Sequence, residues 1–250
     1  MVEAVYDELG LGEGYAFRRR ADPRIAAVIL DALGDARSVV NVGAGAGSYE
    51  PADRVVQAVE PSEAMIAQRP AGAAPCVRAS AESLPLESGA YDAAMAVLTI
   101  HHWSDWRAGL REMRRVARKR AVLLTFDVEA SDFWLTRDYF PALAELDRAI
   151  MPKLGDLADE LGAFEAAPVL VPHDCVDGFL GAYWKRPEVY LDPIARRSMS
   201  SFAKIDAAEG LLRLERDVAN GAWRERNAAL LELDALDVGY RLLRWEFGAG

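Results

Sequence analysis

Cysteine and histidine are scarce in this chain of 250 residues, and positive charge is outweighed by negative. The two cysteines, Cys76 and Cys175, lie far apart with no ligand spacing, so neither a disulfide framework nor a metal site is expected. Acidic residues outnumber basic ones by 39 to 29. The resulting net charge of −10 argues against a nucleic-acid partner, whose phosphates a protein must neutralise. The one basic cluster is Arg111, Arg114, Arg115, Arg118, Lys119 and Arg120. It is expected to form the outer face and last turn of a helix, where cations complement the dipole. No stretch approaches the ~20 apolar residues of a membrane span. The opening residues, MVEAVYDE, lack the basic start and apolar core of a signal peptide, so a cytoplasmic location is expected. Internal repeats and low-complexity linkers are missing too, and a single domain over 1–250 follows.

What is present is alternation. Segments 38–42 (SVVNV), 54–59 (RVVQAV), 75–79 (PCVRA), 91–100 (YDAAMAVLTI) and 121–127 (AVLLTFD) read as short apolar strands. Trp106, Leu110, Met113 and Ala117 recur at helical spacing behind Ser104 or Asp105 as cap, and 62–68 is a second helical stretch. Strands alternating with helices imply a doubly wound α/β fold, with a mostly parallel sheet and helices on both faces. Such sheets bind ligands at strand carboxyl ends, where strand order reverses. In the second half, 133–150 and 156–161 look helical and 169–171 is a short apolar run. Asp206-Ala207-Ala208-Glu209 resembles a capping box for a helix ending at Asn220-Gly221, and 240–247 reads as a last strand. The expected layout is lid helices over 1–35 and a ligand-binding core over 36–130. Helical cap segments occupy 131–165 and 174–238, with final strands at 166–173 and 239–247.

The stretch NVGAGAGSYEP, 41–51, places Gly43, Gly45 and Gly47 directly after the first strand. A dinucleotide fold needs G-x-G-x-x-G, and its third glycine position is Ser48 here. The short connection to the next strand, with Pro51 inside it, leaves no full helix to face a pyrophosphate. A P-loop motif is absent. The loop therefore suits a ligand with an adenosine and no pyrophosphate. The next strand ends in Glu60, whose carboxylate can accept both ribose hydroxyls.

These motifs together resemble the class I S-adenosylmethionine-dependent methyltransferases, in the type 11 branch similar to ubiquinone/menaquinone-biosynthesis enzymes. The resemblance covers about 36–127. That family's first-strand signature, an acid followed by G-x-G-x-G, matches Asn41, Gly43, Ala44, Gly45 and Gly47, with asparagine in place of the acid. Its second-strand acid matches Glu60-Pro61-Ser62, and Met65 sits where an apolar residue covers the adenine. Its A-E-x-L-P segment matches Ala81-Glu82-Ser83-Leu84-Pro85, beside the adenine, with Ser80 where the family usually carries Asp. The fourth strand and its exit match Tyr91 through His101-His102, which puts Leu98 against the cofactor; the usual Gly-Gly before strand five is missing. Tyr15 and Arg19, ahead of Asp22-Pro23, are similar to a lid whose tyrosine and arginine approach the methionine end. The resemblance implies a seven-stranded Rossmann-like sheet with a helical cap from insertions after strands five and six. It also implies S-adenosylmethionine as cofactor, S-adenosylhomocysteine as product, and a small-molecule acceptor. A homodimer is left open.

All three histidines, His101, His102 and His173, fall at expected strand carboxyl ends. An imidazole there can take a proton from an acceptor as it is methylated, or can simply cap a strand or helix by hydrogen bonding. His102 is the preferred base, with His101 as its alternate and His173 on the acceptor side. Methyl transfer needs chiefly alignment and exclusion of water, and aromatic faces favour a sulfonium. Trp103, Phe133, Trp134, Tyr139, Tyr183, Trp184 and Tyr190 are placed in sequence to line a cap, two or three of them against the acceptor. Those two or three are expected among Trp103, Phe133, Trp134, Tyr183 and Trp184, the rest being ordinary core. Two other uses of the same fold stay open: a non-methylation reaction in which the cofactor supplies only charge, and a non-catalytic regulatory binder.

Overall fold

A computed structural model describes residues 19–248. Tyr15 lies outside these residues. The first described helix, α1 (Pro23–Leu33), is capped by Asp22, whose side chain accepts from the Arg24 N–H, and proline occupies its first turn. The core then alternates: β1 (Ser38–Val42), β2 (Val55–Val59), α2 (Glu63–Ile66), β3 (Cys76–Val77), β4 (Tyr91–Val97), α3 (Trp106–Val116) and β5 (Ala117–Phe126). A π turn over Leu135–Tyr139 leads into α4 (Pro141–Ile150) and α5 (Leu154–Leu161). Next come β6 (Glu165–Pro168), β7 (Val171–Pro172), α6 (Pro193–Arg196), α7 (Ala208–Ala219), α8 (Ala222–Arg226), β8 (Ala235–Leu236) and β9 (Tyr240–Glu246).

Seven strands form one sheet in the order β3-β2-β1-β4-β5-β9-β6. The first five pair in parallel, while β9 runs antiparallel to both β5 and β6. This is the doubly wound, mostly parallel architecture expected of the sequence. Order reverses between β1 and β4, so the carboxyl ends at Val42 and Val97 flank the crevice where such sheets bind ligands. Alternation along the strands divides the core. Val39, Ala93, Met95, Val122 and Leu124 face α1 and the helical insertions, whereas Val40, Ala94, Ala96, Ala121 and Leu123 face α3 and α5.

Several local expectations shift. Strand β5 begins at Ala117, so Arg118, Lys119 and Arg120 are strand residues and not a helix's last turn. Each has an acidic partner: Asp92 for Arg118, Asp35 for Lys119 and Arg120. Arg111 pairs with Glu160 and Arg115 with Glu112, and Arg114 stacks over Phe247, so five of the cluster's six cations are paired with carboxylates. The apolar run at 169–171 does not extend the main sheet. Strand β6 precedes it as an exposed edge, and Val171 turns away to pair with β8. At α7 the cap residue is Ala207. Asp206 supplies its acceptor one residue earlier, bonding only the Ala208 N–H.

Candidate active site

The glycine loop leaves β1 at the switch point with Gly43, Gly45 and Gly47 all at positive φ, where a side chain is strained. A Cβ on Gly45 would come within 3.2 Å of the Met65 methyl, which packs against the loop. The Gly45 N–H donates to Glu60 Oε2 at 2.8 Å, and the Ser62 N–H donates to Oε1 at 3.0 Å. Burial pushes the Glu60 carboxyl up, opposed by these two donors and by Arg69. A carboxylate offers about four acceptor positions, so two remain for a ligand.

Asn41, which replaces the family acid at the end of β1, donates through Nδ2 to Glu50 at 3.2 Å. Glu50 in turn accepts from Arg69 at 2.8 Å, and Arg69 reaches the Gly45 carbonyl at 3.3 Å. The acid missing from the strand thus enters from the loop. The pair Arg69–Glu50 braces the glycine backbone from behind. Sequence reading passed over both residues, although an acid just before Pro51 in a glycine loop was the available signal.

A cavity of about 430 Å³ opens over this loop, within the range of small-molecule sites. Gly43, Ala44, Gly45, Glu60, Pro61 and Met65 form one end of it. Ala81 and Glu82 close a side, and Val97, Leu98 and Thr99 from the end of β4 form the floor. Asn41 reaches it too, whereas Gly47 stands behind, close to Arg69. Glu82 also braces the chain beyond β4, because its Oε1 accepts from the Ser104 and Asp105 N–H groups that lead into α3. Leu98 has φ of 52°, an uncommon conformation for a leucine and a mark of a constrained strand exit. Trp103 lines the cavity with a buried indole N–H that has no partner among the described residues. Its ring lies over α3, where a Cβ on Gly109 would come within 2.4 Å of it.

Beyond Leu98 lies a smaller inner chamber of about 80 Å³. Arg19, Leu98 and His102 border both spaces, so His102 stands at their junction and His101 faces the inner one. The two rings are tilted, 4.0 Å apart. Burial pushes His102 down to about 4, aided by the charges of Lys204 and Arg19. It holds His101 well below the usual imidazole range, with His102 adding to the effect. Both rings are therefore neutral near pH 7, and weaker bases than the unperturbed imidazole assumed from sequence. Arg19 is gripped by the fully buried Asp177 at 2.6 Å, and Tyr49 donates to the same carboxylate at 2.9 Å.

The cap aromatics are mostly its own core. Trp134 is 1% exposed, ringed edge-on by Tyr139, Tyr190 and Trp223, and its indole N–H donates to the Trp184 carbonyl. Trp184 is buried and bonds the Val171 carbonyl, while Phe133 packs edge-on against Trp134. Tyr183 stacks under Arg186 and, like these three, lines neither chamber. His173 is also elsewhere, because β7 leaves the main sheet and sets its ring beside Asp174. Apolar periodicity does not distinguish a cap's interior from its ligand face. In their place Phe126, Phe179 and Tyr240 line the inner chamber.

The two free acceptor positions on Glu60, the glycine cradle and the apolar Met65 and Ala81 fit an adenosine with its ribose. The described residues include no group of His, Cys, Asp and Glu able to hold a metal ion. No described helix is long and apolar enough to cross a membrane.

Residues 40–125 match the Methyltransferase domain family. The chain is similar to a crystal structure described as a candidate methyltransferase from an antibiotic biosynthesis pathway of Anabaena variabilis ATCC 29413. Identity is 34% and the TM-score 0.84, over 91% of this chain and 98% of that one. The [4+2]-cyclase SpnF shares the fold, with a TM-score of 0.57 at 17% identity over 100% of this chain and 96% of that one. A shorter match, 37% identical over 60 residues, is to the uncharacterized protein YafE of Escherichia coli K12; it spans 22% of this chain and 29% of that protein. With its sheet order, glycine loop and strand-end acid, the chain belongs to the class I S-adenosylmethionine-dependent methyltransferases, and S-adenosylmethionine is its cofactor.

Proposed function

We propose that this chain transfers a methyl group from S-adenosylmethionine to a small-molecule acceptor held in the inner chamber. The observation that carries this reading is the shared wall of Arg19, Leu98 and His102, which joins a cofactor-sized cavity to a second, smaller space. When bound, S-adenosylmethionine supplies an electrophilic methyl on a sulfonium centre. Glu60 would accept the ribose hydroxyls through its two remaining positions, with Met65 and Ala81 against the adenine. Arg19, held by Asp177, and Tyr15 are the proposed contacts of the methionine carboxylate, for which a guanidinium fork is suited. The strained exit at Leu98 and the Trp103 wall exclude water and fix the direction of approach, and proximity is the main lever. His102, neutral at pH 7, takes the acceptor's proton at a ring nitrogen.

Incubation with S-adenosylmethionine labelled in its methyl group, across amine, phenol and alcohol acceptors, tests the reading. Acceptor-dependent appearance of label together with S-adenosylhomocysteine is expected. Altered acceptor with the cofactor recovered intact would replace it with a reaction in which the cofactor supplies only charge.

A further inference from the structure

Helix α4 carries its buried face on Leu143 and, one turn later, on Asp147. A carboxylate takes the place of the apolar residue that this stripe calls for, and it is 4% exposed. No described residue donates a hydrogen bond to it or pairs with it; Lys204, exposed on the neighbouring 3-10 turn, acts on it through charge alone. Three costs coincide. The charge is desolvated, it lacks a donor, and it sits in the last turn of a helix, where the dipole already points negative. Proteins rarely bury an unpaired carboxylate unless something else completes it.

The position of the carboxylate indicates what that is. Asp147 borders the inner chamber, and with Phe126 it also borders a second cleft of about 290 Å³. It therefore lines both that cleft and the chamber that His102 borders. The walls around it are largely aromatic and thioether, such as Phe126, Tyr240 and Met151, with Ser198, Ser200 and Ser201 also on the lining. The histidines that line the same chamber are neutral, and the cation on that lining, Arg19, is held by Asp177. An anionic acceptor would thus meet a carboxylate, with Arg19 engaged by Asp177 and assigned above to the methionine carboxylate, and with Lys204 outside the chamber's lining. A protonated amine would meet an ionic partner and aromatic faces that attract cations.

We propose that Asp147 is the recognition group for a protonated amine on the acceptor, held at the end of the inner chamber away from the cofactor. The inference rests on the chamber being the acceptor site, as argued above.

The experiment uses the full chain saturated with S-adenosylhomocysteine. Benzylamine and tyramine are titrated beside their neutral and acidic counterparts, benzyl alcohol, 4-hydroxyphenethyl alcohol, benzoate and 4-hydroxyphenylacetate, by calorimetry and thermal shift. The amines should bind most tightly, and Asp147→Asn should weaken them by about 10- to 100-fold, the worth of one charged hydrogen bond. Binding of S-adenosylhomocysteine should not change in that variant, since Asp147 does not line the cofactor cavity. The proposal is overturned if no amine binds, if the alcohols or acids bind as tightly, or if Asp147→Asn retains the amines. Methyl release is read separately. Amine binding that depends on Asp147 without any turnover would sustain this inference while removing the methyl-transfer reading.

Discussion

The backbone N–H of Gly45 donates to the carboxylate of Glu60 at 2.8 Å, tying the glycine loop of one strand to the acid that ends the next. The loop and the acid are thus one device. The carboxylate that would hold a ribose also sets the backbone that must lie close to the ligand.

Replacing Glu60 by alanine should weaken S-adenosylmethionine binding by about 1.5–3 kcal/mol for each charged hydrogen bond lost to the ribose. Glu60→Gln, which keeps one acceptor oxygen, should fall between alanine and the natural residue. Calorimetry that finds all three alike would remove Glu60 from the site.

Gly45→Val should abolish cofactor binding. Gly45 has φ of 53°, and a Cβ there already meets Met65 at 3.2 Å, so the branch must strain the loop or fill the cavity. A folded variant with normal affinity would show that the ligand does not approach this backbone.

Glu50 and Arg69 form a buried pair at 2.8 Å, with side chains 9% and 6% exposed. Glu50→Ala leaves the guanidinium uncompensated and should cost about 3–5 kcal/mol of stability. A melting temperature that does not fall would mean that Arg69 finds another acceptor.

His102→Ala should slow turnover by roughly 10²–10⁴ with cofactor affinity little changed, and His102→Gln should be nearly as slow. Because burial holds Asp147 at about 6 and His102 at about 4, the acid limb of kcat/KM should lie near pH 6, and in Asp147→Asn the limb that remains should move to near pH 4. A glutamine variant with most of the rate would make His102 a positioning residue.

Burial raises Asp147 from 3.8 to about 6, so its ionisation opposes folding. The cost is absent below pH 3.8 and is complete above 6, where it reaches about 3 kcal/mol. Asp147→Asn should therefore melt above the natural protein at pH 8, with the advantage shrinking towards pH 4. Equal melting temperatures at pH 8 would show that the carboxylate is already compensated in the free protein.

The sequence by itself determined the sheet and one end of the site. Strand β1 runs over the expected residues, Ser38–Val42, because a β-branched apolar run closed by glycines has few other solutions. Glu60 and the glycine loop were legible because chain order places them at adjacent strand ends. Tertiary structure decided the rest. Trp134 and Trp184 read as ligand-facing aromatics, yet packing made them the cap's interior, since apolar character does not say which apolar surface a ring will meet. His173 followed a strand that left the sheet. Glu50 reached Asn41 across the loop, and Asp147 arrived on the lining of His102's chamber from a helix far along the chain. Such contacts depend on how insertions fold over the sheet, a long-range outcome that local periodicity does not encode.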